Sequence, residues 1–240
     1  MEVKPYDQAE SKKKQVSKMF DSIAHKYDFL NHFLSLGIDK FWRRKAIRLL
    51  AESNPQLILD VATGTADVAI LTARMVPESK ITGIDISPQM LQVGRNKILK
   101  ENLQDRIDLI DGDAEKLPFG DNIFDAVTVA YGVRNFEDLE AGLGEINRVL
   151  KKNGKLVVIE FSKPTVFPVK QLYYLYFKYI LPLIGKVTSK DPKAYRYLFE
   201  SVQAFPDGKD FISILKKTGF NQNQCISLTL GICSIYIGTK

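Results

Sequence analysis

The sequence predicts an α/β fold: a doubly wound, mostly parallel sheet with an antiparallel strand near the C-terminus and helices added outside the alternating core. Three observations predict it. From Leu57 onward, short apolar runs alternate with helical stretches at intervals suited to βαβ units. Those runs are almost continuously apolar, the pattern of strands covered on both faces. A chain of 240 residues, 45% hydrophobic and 26% charged, can also bury one sizeable core, so a single domain over residues 1–240 is expected.

Residues 11 to 27 place Val16, Met19, Phe20, Ile23 and Tyr27 at spacings of three and four, opposite a Lys-rich face, which predicts an amphipathic helix. A second helix runs from Asp39 through Leu50 and ends at Asn54-Pro55. Residues 1–50 are thus expected to lay N-terminal helices over the site. Strands follow at Leu57 to Ala62, Lys80 to Ile86, Ile107 to Asp111, Phe124 to Ala130 and Lys155 to Phe161, with helices near 66–75, 88–102 and 137–151. After Phe161 the alternation stops. Residues 164 to 200 read as helices broken by Pro164, Pro168, Pro182 and Pro192, and 211 to 218 as one more. Two β-like runs close the chain, Gln224 to Leu230 and Ile232 to Gly238, and their tight connection at Gly231 makes them an antiparallel pair.

Lys and Arg number 34 against 28 Asp and Glu, a net charge of +6. The excess is local: between Lys163 and Glu200 seven basic residues face two acidic ones, among nine aromatics. Residues 163–205 are therefore expected to form a helical insertion that contacts substrate or an anionic membrane. Helices that lid a pocket without touching lipid are the alternative. The longest apolar stretch there, Gln171 to Gly185, is interrupted by Lys178 and Pro182 and is too short to span a bilayer. Cys225 and Cys233, with His25 and His32 far away in sequence, offer no metal-ligand spacing, and no metal is expected. The polar first residues lack an apolar signal run, which gives a cytoplasmic expectation, extended to the inner face of the membrane by the basic segment.

The first strand runs into Asp60-Val-Ala-Thr-Gly64-Thr65-Ala-Asp67, a turn of small residues before a helix where a ligand can approach the backbone. A dinucleotide fingerprint would want glycines at Ala62, Gly64 and Asp67. A carboxylate at 67 would repel a diphosphate and suit a zwitterionic or cationic ligand. Packing of a buried turn is the alternative reading. Asp85 ends the second strand, where it can accept both hydroxyls of a ribose; the competing role, capping the next helix, is already filled by Ser87-Pro88. Asp113, Ala114 and Glu115 follow the third strand, where an acidic loop can bind the amine of adenine. Together these sites suggest an adenosine ligand without phosphates.

The series Asp60-x-x-x-Gly64, Asp85, Gly112-Asp113-Ala114-Glu115-x-Leu-Pro-Phe119 and Phe124-Asp-x-Val-x-x-Ala130 resembles class I S-adenosylmethionine-dependent methyltransferases. Tyr27-Asp28-Phe-Leu-Asn31 through Trp42, Gly132-Val-Arg134-Asn135, and Arg148-Val-Leu-Lys151 through Glu160-Phe-Ser162 narrow the likeness. These stretches are similar to signatures of the ubiquinone/menaquinone biosynthesis C-methyltransferases, and the match covers nearly the whole chain. Departures are Leu30 and Asp39 for a methionine and a histidine, Lys152-Asn153 for Pro-Gly, Ala66 for a glycine and Ala130 for a serine.

The resemblance implies S-adenosylmethionine as cofactor, held by Asp60, Gly64, Thr65, Asp85, Asp113, Ala114 and Ala130. It implies a Rossmann-like sheet and, as substrate, a prenylated quinol methylated at a ring carbon: demethylmenaquinol or the ubiquinol precursor. Arg134 and Asn135 are expected to hold a water or the developing phenolate, with Tyr27 beside the reacting groups. For Arg134 the alternative is a plain ion pair with an acidic neighbour, and for Tyr27 a place in the core. A methyltransferase for another small lipid or aromatic substrate remains the rival. Nucleic acid is not an expected partner: Tyr131-Gly132-Val133-Arg134 is not the D/N-P-P-Y of amino-methylating enzymes, and the distal cysteines suit no C5-methylating nucleophile. A homo-oligomer is left open.

Overall fold

In a computed structural model, which describes residues 3–6, 9–35, 37–176, 179 and 192–240, helices α1 (Lys12–Leu34) and α2 (Asp39–Ala51) precede the first strand. The apolar runs become β1 (Leu57–Val61), β2 (Lys80–Asp85), β3 (Ile107–Asp111), β4 (Phe124–Ala130) and β5 (Leu150–Phe161), all mutually parallel. Helices α3 (Asp67–Met75), α4 (Pro88–Lys100) and α5 (Leu139–Val149) cross over between them. After β5 come α6 (Val169–Leu175), α7 (Pro192–Ala204) and α8 (Lys209–Lys217), then β6 (Asn221–Leu228) and β7 (Cys233–Thr239).

The seven strands stand in the order β3-β2-β1-β4-β5-β7-β6, and β7 runs antiparallel to both its neighbours. Period-two alternation splits each strand between two cores. Ile58, Ile81, Leu109 and Val157 face the apolar sides of α2, α3 and α4; Leu59, Ile84, Val127 and Val158 face Leu143 and Ile146 of α5 and Phe211 and Leu215 of α8. The sheet is thus covered on both faces. Strand order reverses between β1 and β4, which opens a crevice at their C-terminal ends, where doubly wound folds place ligands.

Three boundaries differ from expectation. The first helix continues past Tyr27 to Leu34. The fifth strand begins at Leu150 rather than Lys155, because Leu150 pairs with Phe124 before the register shifts; Asn153, at φ 63, takes up the irregularity. Between the last two strands stands a short 3₁₀ turn, Thr229–Gly231, rather than one glycine, with φ positive at all three positions. Pro182, Lys178, Lys186 and Lys190 of the basic segment, and the side chain of His32, lie outside the described residues. Among the described residues no helix is long and apolar enough to cross a membrane.

Candidate active site

A cleft occupies the crevice at the ends of β1, β2 and β4. The turn after β1 opens it: Ala62, Gly64 and Ala66 all have positive φ, and a Cβ at Gly64 would meet nothing, so this stretch presents bare backbone to the cleft. Gly132, across the cleft after β4, is needed for a different reason. A Cβ there would stand 2.6 Å from that of Ala62, so the two loops could not meet.

Asp85 anchors the wall between them. Its Oδ2 accepts the Gly64 N–H at 2.8 Å and its Oδ1 the Ser87 N–H at 2.9 Å, while Ser87 Oγ caps α4 by accepting from Met90 N–H. Burial pushes the Asp85 carboxyl up to about 6, against the pull of those N–H groups. At the end of β3, Asp113 accepts from Lys13 Nζ at 2.5 Å, and Glu115 accepts from the same ammonium at 2.9 Å. Ala114 and Ala130 complete this wall. Helix α1 roofs the cleft with Lys13, Val16, Phe20 and Tyr27. It is fastened there by Ser17, which donates to the Ile86 carbonyl at 2.9 Å, and by Asp21, which accepts from Ser87 Oγ at 2.6 Å.

Two expected cofactor contacts are not in the cleft wall. Asp60 is 1% exposed and accepts from Thr63 and Thr128, each at 2.6 Å; it ties the β1 turn to β4 beneath the cleft, and burial lifts its carboxyl to about 6. The Thr65 hydroxyl is turned away, donating to Asp28 of α1. The reading of Asp67 as a charge that meets the ligand is also corrected. It is neutralised by Arg43 at 2.6 Å and by Lys97, and it stands outside the wall.

A second, larger cavity adjoins the first, and Tyr27 and Tyr131 line both. Its wall is mainly apolar, with Trp42, Phe161, Leu172, Tyr173, Leu198 and Ile232, and its charged groups are Asp39, Arg43 and Arg134. Tyr131 has φ 58, a conformation that costs an aromatic residue energy and that persists only where surroundings enforce it. Here the ring is pinned against Phe161, centroids 4.9 Å apart.

Arg134 and Asn135 follow in a 3₁₀ turn and divide between the two spaces: Arg134 lines the apolar cavity, Asn135 the cleft. Arg134 NH1 donates to the Tyr131 carbonyl at 2.5 Å and to Glu160 Oε1 at 2.7 Å. Asn135 Oδ1 accepts from the Tyr197 hydroxyl at 3.1 Å. Glu160 is fully buried, and its Oε2 has no hydrogen-bond partner. Burial raises its pKa despite the adjacent cation. Burial, the largest single influence, works against the charge of Arg134, yet Glu160, Tyr27 and Tyr197 together outweigh it and hold that guanidinium above its ordinary value.

Glu160, Lys13 and Arg43 were not singled out as site residues from sequence. Glu160 had left a trace, a charge inside the apolar run Leu156-Val-Val-Ile-Glu160. Neither cysteine lines either space, and among the described residues no group of His, Cys, Asp or Glu could hold a metal.

The chain matches the ubiE/COQ5 methyltransferase family over residues 8–240. It is 49% identical to the demethylmenaquinone methyltransferase of Bacteroides fragilis over 99% of this chain and 97% of that one. It is 44% identical to the ubiquinone/menaquinone biosynthesis C-methyltransferase UbiE of Geotalea daltonii, over 95% and 97%. Among solved structures, a SAM-dependent methyltransferase from Thermotoga maritima superposes with a TM-score of 0.66 at 18% identity, over 93% of this chain and 99% of that one. Human N-acetylserotonin methyltransferase in complex with SAM gives 0.61 at 19%, over 94% and 59%. At such identities these two structures speak for the fold.

Proposed function

The chain belongs to the ubiE/COQ5 methyltransferase family, and from that premise we propose that it methylates a ring carbon of a prenylated quinol, demethylmenaquinol first, with S-adenosylmethionine as donor. The observation that carries this reading is a pair of neighbouring spaces: a strand-end cleft with backbone and carboxylates, and a mainly apolar cavity that shares Tyr27 and Tyr131 with it. One suits a nucleoside with a charged tail; the other suits an aromatic ring with an isoprenoid chain.

The residues present fit the donor. Bound there, S-adenosylmethionine supplies an electrophilic methyl group on a sulfonium. The Asp85 carboxylate has about four acceptor sites, two of them given to Gly64 and Ser87, which leaves two for ribose hydroxyls. Asp113, with Ala114 beside it in the cleft wall, would accept from the adenine amine, and Ala130 would offer only backbone. Tyr27 and Tyr131 place aromatic rings at the junction, where a cation–π contact is worth about 0.5–2 kcal/mol.

A ring carbon becomes nucleophilic as the neighbouring hydroxyl loses its proton. Arg134 is one of two cations on the quinol side; with Arg43 NH1 given to Asp67, the part of Arg134 is to hold the phenolate oxygen as charge develops. A guanidinium does not give up its own proton near neutral pH. Aligning carbon and methyl across the two neighbouring spaces would be worth about 7–11 kcal/mol. An anaerobic assay with demethylmenaquinol, S-adenosylmethionine and a reductant should yield the methylated quinol, whereas the oxidised quinone should stay unreacted. Methylation of the oxidised ring, or none of the reduced one, would overturn the reading.

The rim of the apolar cavity supports a place at an anionic bilayer surface. Ile38 and Leu172 line the cavity and are exposed, and Phe41, Leu175, Tyr179 and Leu230 are also exposed, with Lys170 on α6. Apolar side chains entering the headgroup region would let a prenyl tail pass between lipid and cavity. Replacing Phe41 and Leu230 by Ser should lower partition onto anionic vesicles roughly tenfold or more and leave cofactor affinity intact, since neither residue lines the cleft. Unchanged co-sedimentation would leave Phe41 and Leu230 without a part in membrane contact.

A further inference from the structure

The quinol cavity has two charged poles. One is Arg134 with Glu160 behind it. The other, at the start of α2, is Asp39 with Arg43. Each guanidinium takes one ring of the same aromatic pair: Arg43 Cζ lies 5.7 Å from the centroid of Tyr131, Arg134 Cζ 5.7 Å from that of Phe161.

Asp39 is 2% exposed, yet it forms part of the cavity wall. Ser35 Oγ donates to its Oδ1 at 2.7 Å, and Arg43 NH2 stands 3.4 Å from its Oδ2. Arg43 NH1 is turned to Asp67, which also holds Lys97. NH1 and NH2 of Arg43 are thus directed at carboxylates, its buried Nε has no hydrogen-bond partner, and Asp39 is fixed as an acceptor in a largely apolar wall. The two poles have opposite hydrogen-bonding character.

Resting on the reading of a para-quinol as substrate, we propose that Asp39 accepts a hydrogen bond from the hydroxyl opposite the one held at Arg134, and that it thereby selects the reduced ring. A quinol ring carries hydroxyls at opposite ends. With one at the Arg134 donor, the other points away along the cavity as a donor itself. The oxidised ring carries a carbonyl oxygen in its place. That oxygen has no proton to donate and is repelled by a carboxylate, so the same residue that rewards one redox state penalises the other.

The test is equilibrium binding of a 1,4-naphthalenediol with one short prenyl chain, of its oxidised quinone, and of the corresponding mono-ol lacking the distal hydroxyl, each with S-adenosylhomocysteine bound. Wild type should favour the diol over both others by roughly tenfold or more, the range of one charge-assisted hydrogen bond. Asp39→Asn, whose amide can donate to a carbonyl, should narrow the diol-to-quinone ratio about tenfold. Asp39→Ala should weaken the diol and leave the mono-ol unchanged. Unaltered S-adenosylhomocysteine affinity and melting temperature show that the variants are folded, and the mono-ol comparison needs only wild type. A diol that is methylated normally but preferred neither over mono-ol nor over quinone overturns this assignment alone. A wild-type protein that neither binds nor methylates the diol overturns the substrate reading and this assignment with it.

Discussion

Arg134→Ala should lose on the order of a hundredfold or more in turnover, the usual cost of one preorganised donor at a developing oxyanion, and it should lose stability as well. The two losses have different causes. The first comes from the missing contact to the phenolate and should leave cofactor affinity nearly normal, because Arg134 lines the quinol cavity and not the cleft. The second comes from Glu160, which is 0% exposed and would be left without its cation; breaking a buried pair from one side costs about 3–5 kcal/mol.

A double variant separates these effects. Arg134→Met with Glu160→Gln removes both charges together and should regain most of the stability, since replacing a whole buried pair is often neutral or better. Turnover should stay low. Arg134→Lys keeps the charge but cannot donate at once to Tyr131, Glu160 and substrate in a fixed plane, so it too should be slow. Melting temperature and kcat measured side by side decide the matter. Recovery of turnover in the double variant, or normal turnover in Arg134→Ala, would make Arg134 a structural ion pair only.

The two readings weighed for Arg134 from sequence, a group that serves the reaction and one that pairs with an acidic neighbour, turn out to be compatible, and the reason is physical. Local pattern shows a chain which face of a helix or strand is buried; it does not show which distant side chain completes a charge. Ile58, Leu59, Ile81 and Val127 were legible as strand residues because burial on both faces forces continuous apolar runs. Asp85 was legible as a residue of the cleft wall because a strand-end carboxylate has few other uses once Ser87 caps the helix. By contrast, the partners Lys13–Asp113, Arg43–Asp67 and Arg134–Glu160 lie 100, 24 and 26 residues apart in the chain. Only the fold brings them together. Asp60 and Thr65 stand outside the cleft wall for a related reason: a turn motif fixes which residues stand in the turn, whereas the left-handed backbone at Ala62, Gly64 and Ala66 decides which side chains face the cleft.

Asp85→Ala should weaken S-adenosylmethionine binding by roughly ten- to a hundredfold, and wild type should show a pH dependence that this variant lacks. The size follows from losing charge-assisted bonds to two hydroxyls, about 1.5–3 kcal/mol. The pH dependence follows from burial, which puts the Asp85 carboxyl at about 6 in the fold, above the ordinary 3.8. A carboxyl raised in the folded state binds its proton more tightly there than in the unfolded chain. Its contribution to the stability of the cofactor-free protein therefore grows as pH falls from about 6 toward 3.8 and is lost as pH rises through about 6. Cofactor binding runs the other way, because only the ionised carboxylate can accept both ribose hydroxyls while still holding Gly64 and Ser87. Affinity should thus fall below about pH 6, where this group's own share of stability rises. Asp60, also near 6 but outside the cleft, contributes to the stability trend and not to the affinity trend. Calorimetric titrations from pH 5 to 8 on wild type and Asp85→Asn, with melting curves alongside, separate the two. If wild-type affinity is flat across that range, or if Asp85→Asn retains the same slope, Asp85 does not carry the ribose contact.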